Sequence, residues 1–394
     1  MIRKIPVIGY RISLRALLSG VSAFFSGGTR DEFRDTLAGF IQCRHVYFVN
    51  SGISAFYLAL LALKKISRRT EVVLPAYTAP SLVVAVRKAG LKPVLCDISL
   101  RDFNMDMQAA LQLVSRQTLC IVCVHMFGIP AADVGRLKQG LPEDVFLIED
   151  CAQAMGSEIA GRPVGGSGDL SIFSFNRGKN LPAAGGGVIF TDSGMLASAV
   201  EELVDELSVP GLGYEIRLFL WFVCLSMLFR PFFYSLLYPL VCRFRDDTLP
   251  VDFTVGGYTS LQAGLGKFLF EGLAESCRHR YENAMAVLDA LGNTRGIILP
   301  CIRDDLRPAF NRLPVLIEDT ESRRKVEREL SDNGIGVSGL YFRPLHHIFD
   351  LGYDRSGFPN AVYLAERLLT LPSHPLLERE TLEKMTSLIR KVLS

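Results

Sequence analysis

The chain has 394 residues, 49% hydrophobic and 21% charged, with 43 Lys and Arg against 41 Asp and Glu for a formal net charge of +2. So even a balance excludes bulk electrostatic attraction to nucleic acid, and so apolar a chain excludes intrinsic disorder. The length suits about two or three domains, while the mean hydropathy of +0.26 is high for a plain soluble enzyme.

Residues 1–25 carry Arg3, Lys4, Arg11 and Arg15 around an apolar stretch. Charges at those places break the uninterrupted apolar region of a signal peptide, so an ordered arm or a surface-lying helix is expected. Residues 26–207 then alternate two kinds of segment. Short β-rich runs occupy 45–49, 71–75, 92–97, 119–125, 144–150, 170–175 and 187–191, and helix-like stretches occupy 54–66, 79–90 and 131–139. Continuous apolar strands separated by amphipathic helices predict an α/β fold, a mostly parallel sheet covered by helices on both faces. Ligands of such folds lie beyond the carboxyl ends of the strands.

An apolar insert fills 208–250, and 216–241 reads IRLFLWFVCLSMLFRPFFYSLLYPLV with the chain's one Trp. Residues 251–394 continue with a long helical pattern at 260–291. A β-like run (312–318), a helix (320–333), a turn at Asn333-Gly334 and a last helix after Pro375 make a smaller C-terminal α+β domain. The nine cysteines are scattered and odd in number, which suits a reducing compartment better than a disulfide framework. Cys120 and Cys123 sit within an apolar strand and read as buried thiols, with no metal site.

Three strand ends carry polar residues. At 49–55, V-N-S-G-I-S-A runs from strand to helix, so the N–H groups near Gly52, Ile53 and Ser54 can cradle a phosphate, although Ser-Gly is equally a plain turn. At 147–156, Asp150 ends a strand, where it can keep a heterocyclic nitrogen protonated or simply cap a following helix; Gln153 can reach a ring substituent. At 168–191, Ser174 and Lys179 put a hydroxyl and an amine at the mouth of the sheet, and a lysine in a partly dry site forms Schiff bases. Together they describe a pocket for pyridoxal 5′-phosphate.

These segments resemble the DegT/DnrJ/EryC1/StrS family of sugar aminotransferases, which are fold-type I pyridoxal phosphate enzymes. The likeness rests on VNSGxxA, P-A-Y-T (75–78), AGLKPVLCDI (89–98), HMFGIPAAD (125–133), EDCAQAMG, SFNRGKNL and FPNAVYLAERLLTLPSHP (358–375). It implies Lys179 as the Schiff-base lysine, Asp150 as partner of the pyridinium nitrogen, and Gln153 near the ring oxygen. Ser174 and the backbone at Gly52, Ile53 and Ser54 would hold the phosphate. It also implies an amino donor, usually L-glutamate, a keto-sugar acceptor, and a homodimer with the active site near its interface. Dehydratases of the family carry His where Lys179 stands, so transamination is favoured over that alternative; a non-catalytic, membrane-tethered sensor or scaffold on the same fold is the reading from another class.

The chain departs from the family at several points. Ala79 stands where an aromatic residue often covers the cofactor. Val255 and Gly257 replace the Asn and Arg of a motif through which a neighbouring subunit contacts the phosphate. His125 reads as a satisfied loop histidine, and Arg343 and His346 as substrate-pocket candidates or surface residues.

Within the insert, Arg230 and Pro231 interrupt the apolar run, which is too short and too broken for a span. An interfacial hairpin over 216–242 is expected, against a core or dimer-interface segment. Peripheral contact with the inner face of the membrane from the cytoplasm would make the acceptor lipid-linked or membrane-proximal, in surface polysaccharide or glycolipid biosynthesis.

Overall fold

The computed structural model describes residues 4–10, 12–228 and 252–394. Its centre is a seven-stranded sheet in the order β1-β9-β8-β5-β4-β2-β3. The strands are β1 (His45–Val49), β2 (Glu71–Pro75), β3 (Lys92–Cys96), β4 (Thr118–Val124), β5 (Phe146–Asp150), β8 (Leu170–Ser174) and β9 (Gly187–Thr191), with the short β6 (Glu158–Ile159) and β7 (Arg162–Pro163) outside it. Strands β3, β2, β4, β5 and β8 pair in parallel, and β9 runs antiparallel to both β8 and β1.

Side chains on a strand alternate between faces, and both faces of this sheet are covered. On β4, Cys120, Val122 and Val124 join the core beneath α3 (Gly52–Ile66) and α4 (Pro80–Lys88), while Ile121 and Cys123 pack on the other side with Val134 and Leu137 of the helix Val134–Gly140. That two-sided burial is why the strand reads as an unbroken apolar run. The two thiols are buried, as expected, and the described cysteines are all free.

The helical pattern at 260–291 is two helices, Ser260–Glu271 and Leu273–Leu291, parted at Gly272. Thr259 and Gln262 form a capping box at the first of them, satisfying N–H groups that a helix start leaves open. The C-terminal part holds an antiparallel sheet of β10 (Ile297–Ile298), β12 (Leu313–Ile317) and β13 (Leu368–Leu371), and β11 (Leu306–Arg307) pairs with β6. Among the described residues of the N-terminal segment, Ile5 bridges to Ile335, and an amphipathic helix, α1 (Leu14–Ser22), has Leu14 and Leu18 exposed.

The first part of the insert is a helix, Leu212–Leu228. Phe222 anchors it in the core that also holds Phe33 and Tyr258, and the Glu215 carboxylate accepts from Leu261 N at 3.1 Å. Of the hairpin expected over 216–242, residues 216–228 belong to this helix and 229–242 lie outside the described residues. Among the described residues no helix is long and apolar enough to cross a membrane.

Candidate active site

The carboxyl ends of β1, β5 and β8 bring most of the predicted residues to one place. At the end of β1, Ser51 caps α3 and accepts from Ser54 N at 3.2 Å. Ser54 Oγ lies 2.8 Å from Ser51 Oγ and donates to Thr254 O at 3.2 Å. Ser174 leans over this helix start so closely that a Cβ on Gly52 would stand 2.7 Å from Ser174 Cβ and 2.9 Å from its Oγ. Only glycine allows a hydroxyl so near the positive end of a helix, an arrangement suited to a phosphate.

Asp150 is buried at the end of β5. It caps no helix, since turns follow it; instead one carboxylate oxygen accepts from Ala152 N at 2.9 Å. Burial raises its pKa, against the Ala152 N–H and the charges of Lys179 and His125. The Lys179 amine is lowered to about 8 by burial, which outweighs the opposing Asp150 charge, while the Arg312 cation adds a smaller lowering. Near neutrality such an amine spends an appreciable fraction of its time unprotonated, as a nucleophile must.

Gln153 is also buried, with Oε1 accepting from Phe127 N at 3.2 Å. The neighbouring His125 is fully engaged. Ala131 N donates to its Nδ1 at 3.0 Å, so the proton sits on Nε2, which faces Glu149 Oε2 at 2.9 Å. Glu149 also accepts from the backbone N–H groups of Gly165, Ser167 and Gly168. Burial works to raise this carboxyl, but His125 and those N–H groups hold it below its ordinary value. His125 is therefore the satisfied histidine the sequence suggested. In the Glu149, His125 and Cys151 cluster the carboxylate and both imidazole nitrogens are already hydrogen-bonded, so it reads as structural.

Arg343 and His346 are not joined to this cluster by any hydrogen bond or ion pair among the described residues. Arg343 is exposed and lines a separate cleft of about 360 Å³ with Pro344, His347 and Arg355. His346 packs edge-on against Phe358. Three residues given no site role from the sequence lie near this cluster: Tyr77, within the P-A-Y-T motif, Tyr341, within the substrate-loop pattern, and Arg312. Tyr77 is buried, its hydroxyl donating to Tyr341 O at 3.0 Å. Tyr341 is pushed up to about 12 by burial, and its charge interacts with those of both Arg312 and Asp150. Arg312 was read only as the start of a β-like run; a cation opening an otherwise apolar strand was the available signal.

The segment aligned with the altered neighbour-contact motif packs against the chain's own turn between β1 and α3. Thr254 O accepts from Asn50 Nδ2 at 2.9 Å, and Gly256 O accepts from Asn50 N at 2.9 Å. These contacts are made by backbone carbonyls of the segment.

The residues present fit pyridoxal phosphate: a helix start opened by glycine, a buried carboxylate, and an amine with a lowered pKa.

Comparison with known proteins agrees. Residues 14–214 and 256–390 match the DegT/DnrJ/EryC1/StrS aminotransferase family. The spore coat polysaccharide biosynthesis protein SpsC of Bacillus subtilis is 27% identical, over 99% of this chain and 96% of its own. The UDP-N-acetyl-3-dehydro-alpha-D-glucosamine 3-aminotransferase of Acidithiobacillus ferrooxidans is 28% identical, over 94% and 90%. The apo form of a sugar aminotransferase, Spr1654 of Streptococcus pneumoniae, shares the fold with a TM-score of 0.80 at 21% identity, over 99% and 97%. The family match interrupts only at 215–255, where the apolar insert lies. The chain belongs to the DegT/DnrJ/EryC1/StrS aminotransferase family and is a pyridoxal phosphate-dependent aminotransferase.

Proposed function

We propose that this aminotransferase moves the amino group of L-glutamate to a keto sugar for surface polysaccharide or glycolipid biosynthesis, with Lys179 as its catalytic residue. The observation that carries this reading is the meeting of the Lys179 amine, lowered to about 8, with buried Asp150 and the glycine-opened start of α3. Relatives with sugar substrates in their names support the acceptor class.

When bound, pyridoxal phosphate supplies an aldehyde for amine capture and a ring that takes up electron density. The protein's part is binding and proton handling. Gly52, Ile53 and Ser54 present the helix start to the phosphate, and Ser174 adds a hydroxyl. Asp150 holds the proton on the ring nitrogen, its negative charge stabilised by the Ala152 N–H. Gln153, fixed by its contact with Phe127 N, would hold the ring oxygen. Lys179 would hold the aldehyde of the cofactor and, as a free amine, would accept the proton leaving the donor Cα.

The homodimer and the membrane contact through 216–242 belong to the same proposal. Exposed Ile216, Leu220, Trp221 and Met227 support an interfacial role for the helix Leu212–Leu228, which would hold the enzyme at the inner face of the membrane and suit a lipid-linked acceptor.

Transfer of ¹⁵N from labelled glutamate to a panel of nucleotide-linked and lipid-linked keto sugars tests the reaction. Label should appear in one acceptor class and vanish with Lys179→Ala. Full turnover by Lys179→Ala would overturn the lysine assignment.

A further inference from the structure

The loop bearing Lys179 is held from both sides by a residue far along the chain. Asn311 Nδ2 donates to Gly178 O at 2.7 Å and to Asn180 Oδ1 at 3.2 Å, which are the residues immediately before and after the lysine. Asn311 is buried, and Asn180 is fixed in turn by donating from Nδ2 to Met155 O at 3.0 Å.

The backbone at 309–311 is itself threaded through the site. Ala309 N donates to Ser157 Oγ at 2.9 Å, and Ser157 Oγ donates to Gly128 O at 2.8 Å. Gly128, at φ +81, lets this strand approach: a Cβ there would stand 2.8 Å from Asn311 N and 2.9 Å from Gln153 O. On the far side Ser373 Oγ donates to Phe310 O at 2.9 Å, and Arg280, buried, reaches Asn311 O at 3.5 Å.

We infer that Asn311 is a positioning residue for Lys179: its amide, delivered by the segment leading into β12, grips the lysine loop on both flanks and sets the amine against Asp150 and Arg312. The inference rests on Lys179 being the reacting amine and adds the device that aims it. An amide suits the task because its two N–H groups can serve two acceptors at once. The grip also ties the loop to Arg312, the next residue in the chain. Loss of the grip would let the loop relax toward solvent, away from the burial and the Arg312 charge that lower the lysine.

The test uses Asn311→Ala and Asn311→Gln in the full chain. In the protein stripped of cofactor, acetylation of Lys179 is followed by mass spectrometry across pH. The midpoint should move up from about 8 by roughly one unit in Asn311→Ala. With cofactor restored, kcat should fall about tenfold or more while KM for the donor moves less than about threefold, as expected for misaligned reacting groups. Asn311→Gln, which keeps both donors, should recover part of each. An unmoved midpoint together with kcat within about twofold would overturn the inference, even if Tm fell, because a purely structural role lowers only stability. Asn311→Ser carries the same two readouts if Asn311→Ala does not fold. Lys179→Ala, run alongside, separates failure of this inference from failure of the lysine assignment.

Discussion

At the residue scale Lys179, Asp150 and Arg312 interact electrostatically, and the sign of each effect can be worked out separately. Lys179 has a lowered pKa, so its reactivity toward an acylating reagent should climb through pH 8 and level off above it, well below the ordinary lysine value of 10.5. Asp150 favours the protonated amine, so Asp150→Asn should move that midpoint further down; Arg312 disfavours it, so Arg312→Leu should move it up. Mass-spectrometric labelling of the cofactor-free protein across pH measures all three. Equal midpoints in the variants would show that burial alone sets the lysine. Lys179, Asp150 and Ser174 were legible because each lies at or just after the end of an apolar run, where chain order fixes the position. Arg312, Tyr77 and Tyr341 were not, because contacts across 262 or more residues put Tyr77 against Gly339 and Tyr341, and no local pattern encodes such a distance.

At the element scale, strand ends and helix starts do the positioning. The start of α3 faces Ser174 only because Gly52 carries no side chain. Gly52→Ala should therefore force these elements apart, costing about 1–3 kcal/mol of stability by overpacking and weakening retention of cofactor. Thermal unfolding and a cofactor titration measure the two effects; an unchanged Tm with full affinity would mean the approach is looser than 2.7 Å implies. The strand runs at 45–49, 71–75 and 187–191 coincide with β1, β2 and β9 because buried strands have simple apolar signatures. The break at Gly272 escaped notice since a helical period carries across one glycine with little disturbance. The strand β13 lay unseen inside a family motif: LLTL has no alternation, being buried throughout.

For the whole molecule, the described part of the insert leaves Ile216, Leu220, Trp221 and Met227 exposed. The 17 residues of the helix Leu212–Leu228 rise about 25 Å at 1.5 Å per residue, short of the roughly 30 Å hydrocarbon core. Phe222 and Glu215 tie this helix to the body of the protein, and Trp221 lies beneath the Arg177 guanidinium, 5.9 Å from its ring centre and two residues before Lys179 in the chain. An apolar surface thus begins beside the lysine loop. Flotation with anionic liposomes should carry the wild-type protein and leave a 216–242 deletion behind. Equal soluble fractions would reject membrane contact, and sedimentation of both proteins reports whether the segment serves a homodimer instead.

By itself the sequence determined the alternation of strands and helices, the candidate lysine and carboxylate at the mouth of the sheet, and the location of the apolar surplus. Each is a local property, carried by periodicity, by a residue at a strand end, or by composition over a few turns. Tertiary structure alone decided which cation lies beside the lysine, which residues hold its loop, and that Arg343 lines a separate cleft. Those follow from where the chain returns after hundreds of residues, and from burial, which turns an ordinary amine into one lowered to about 8.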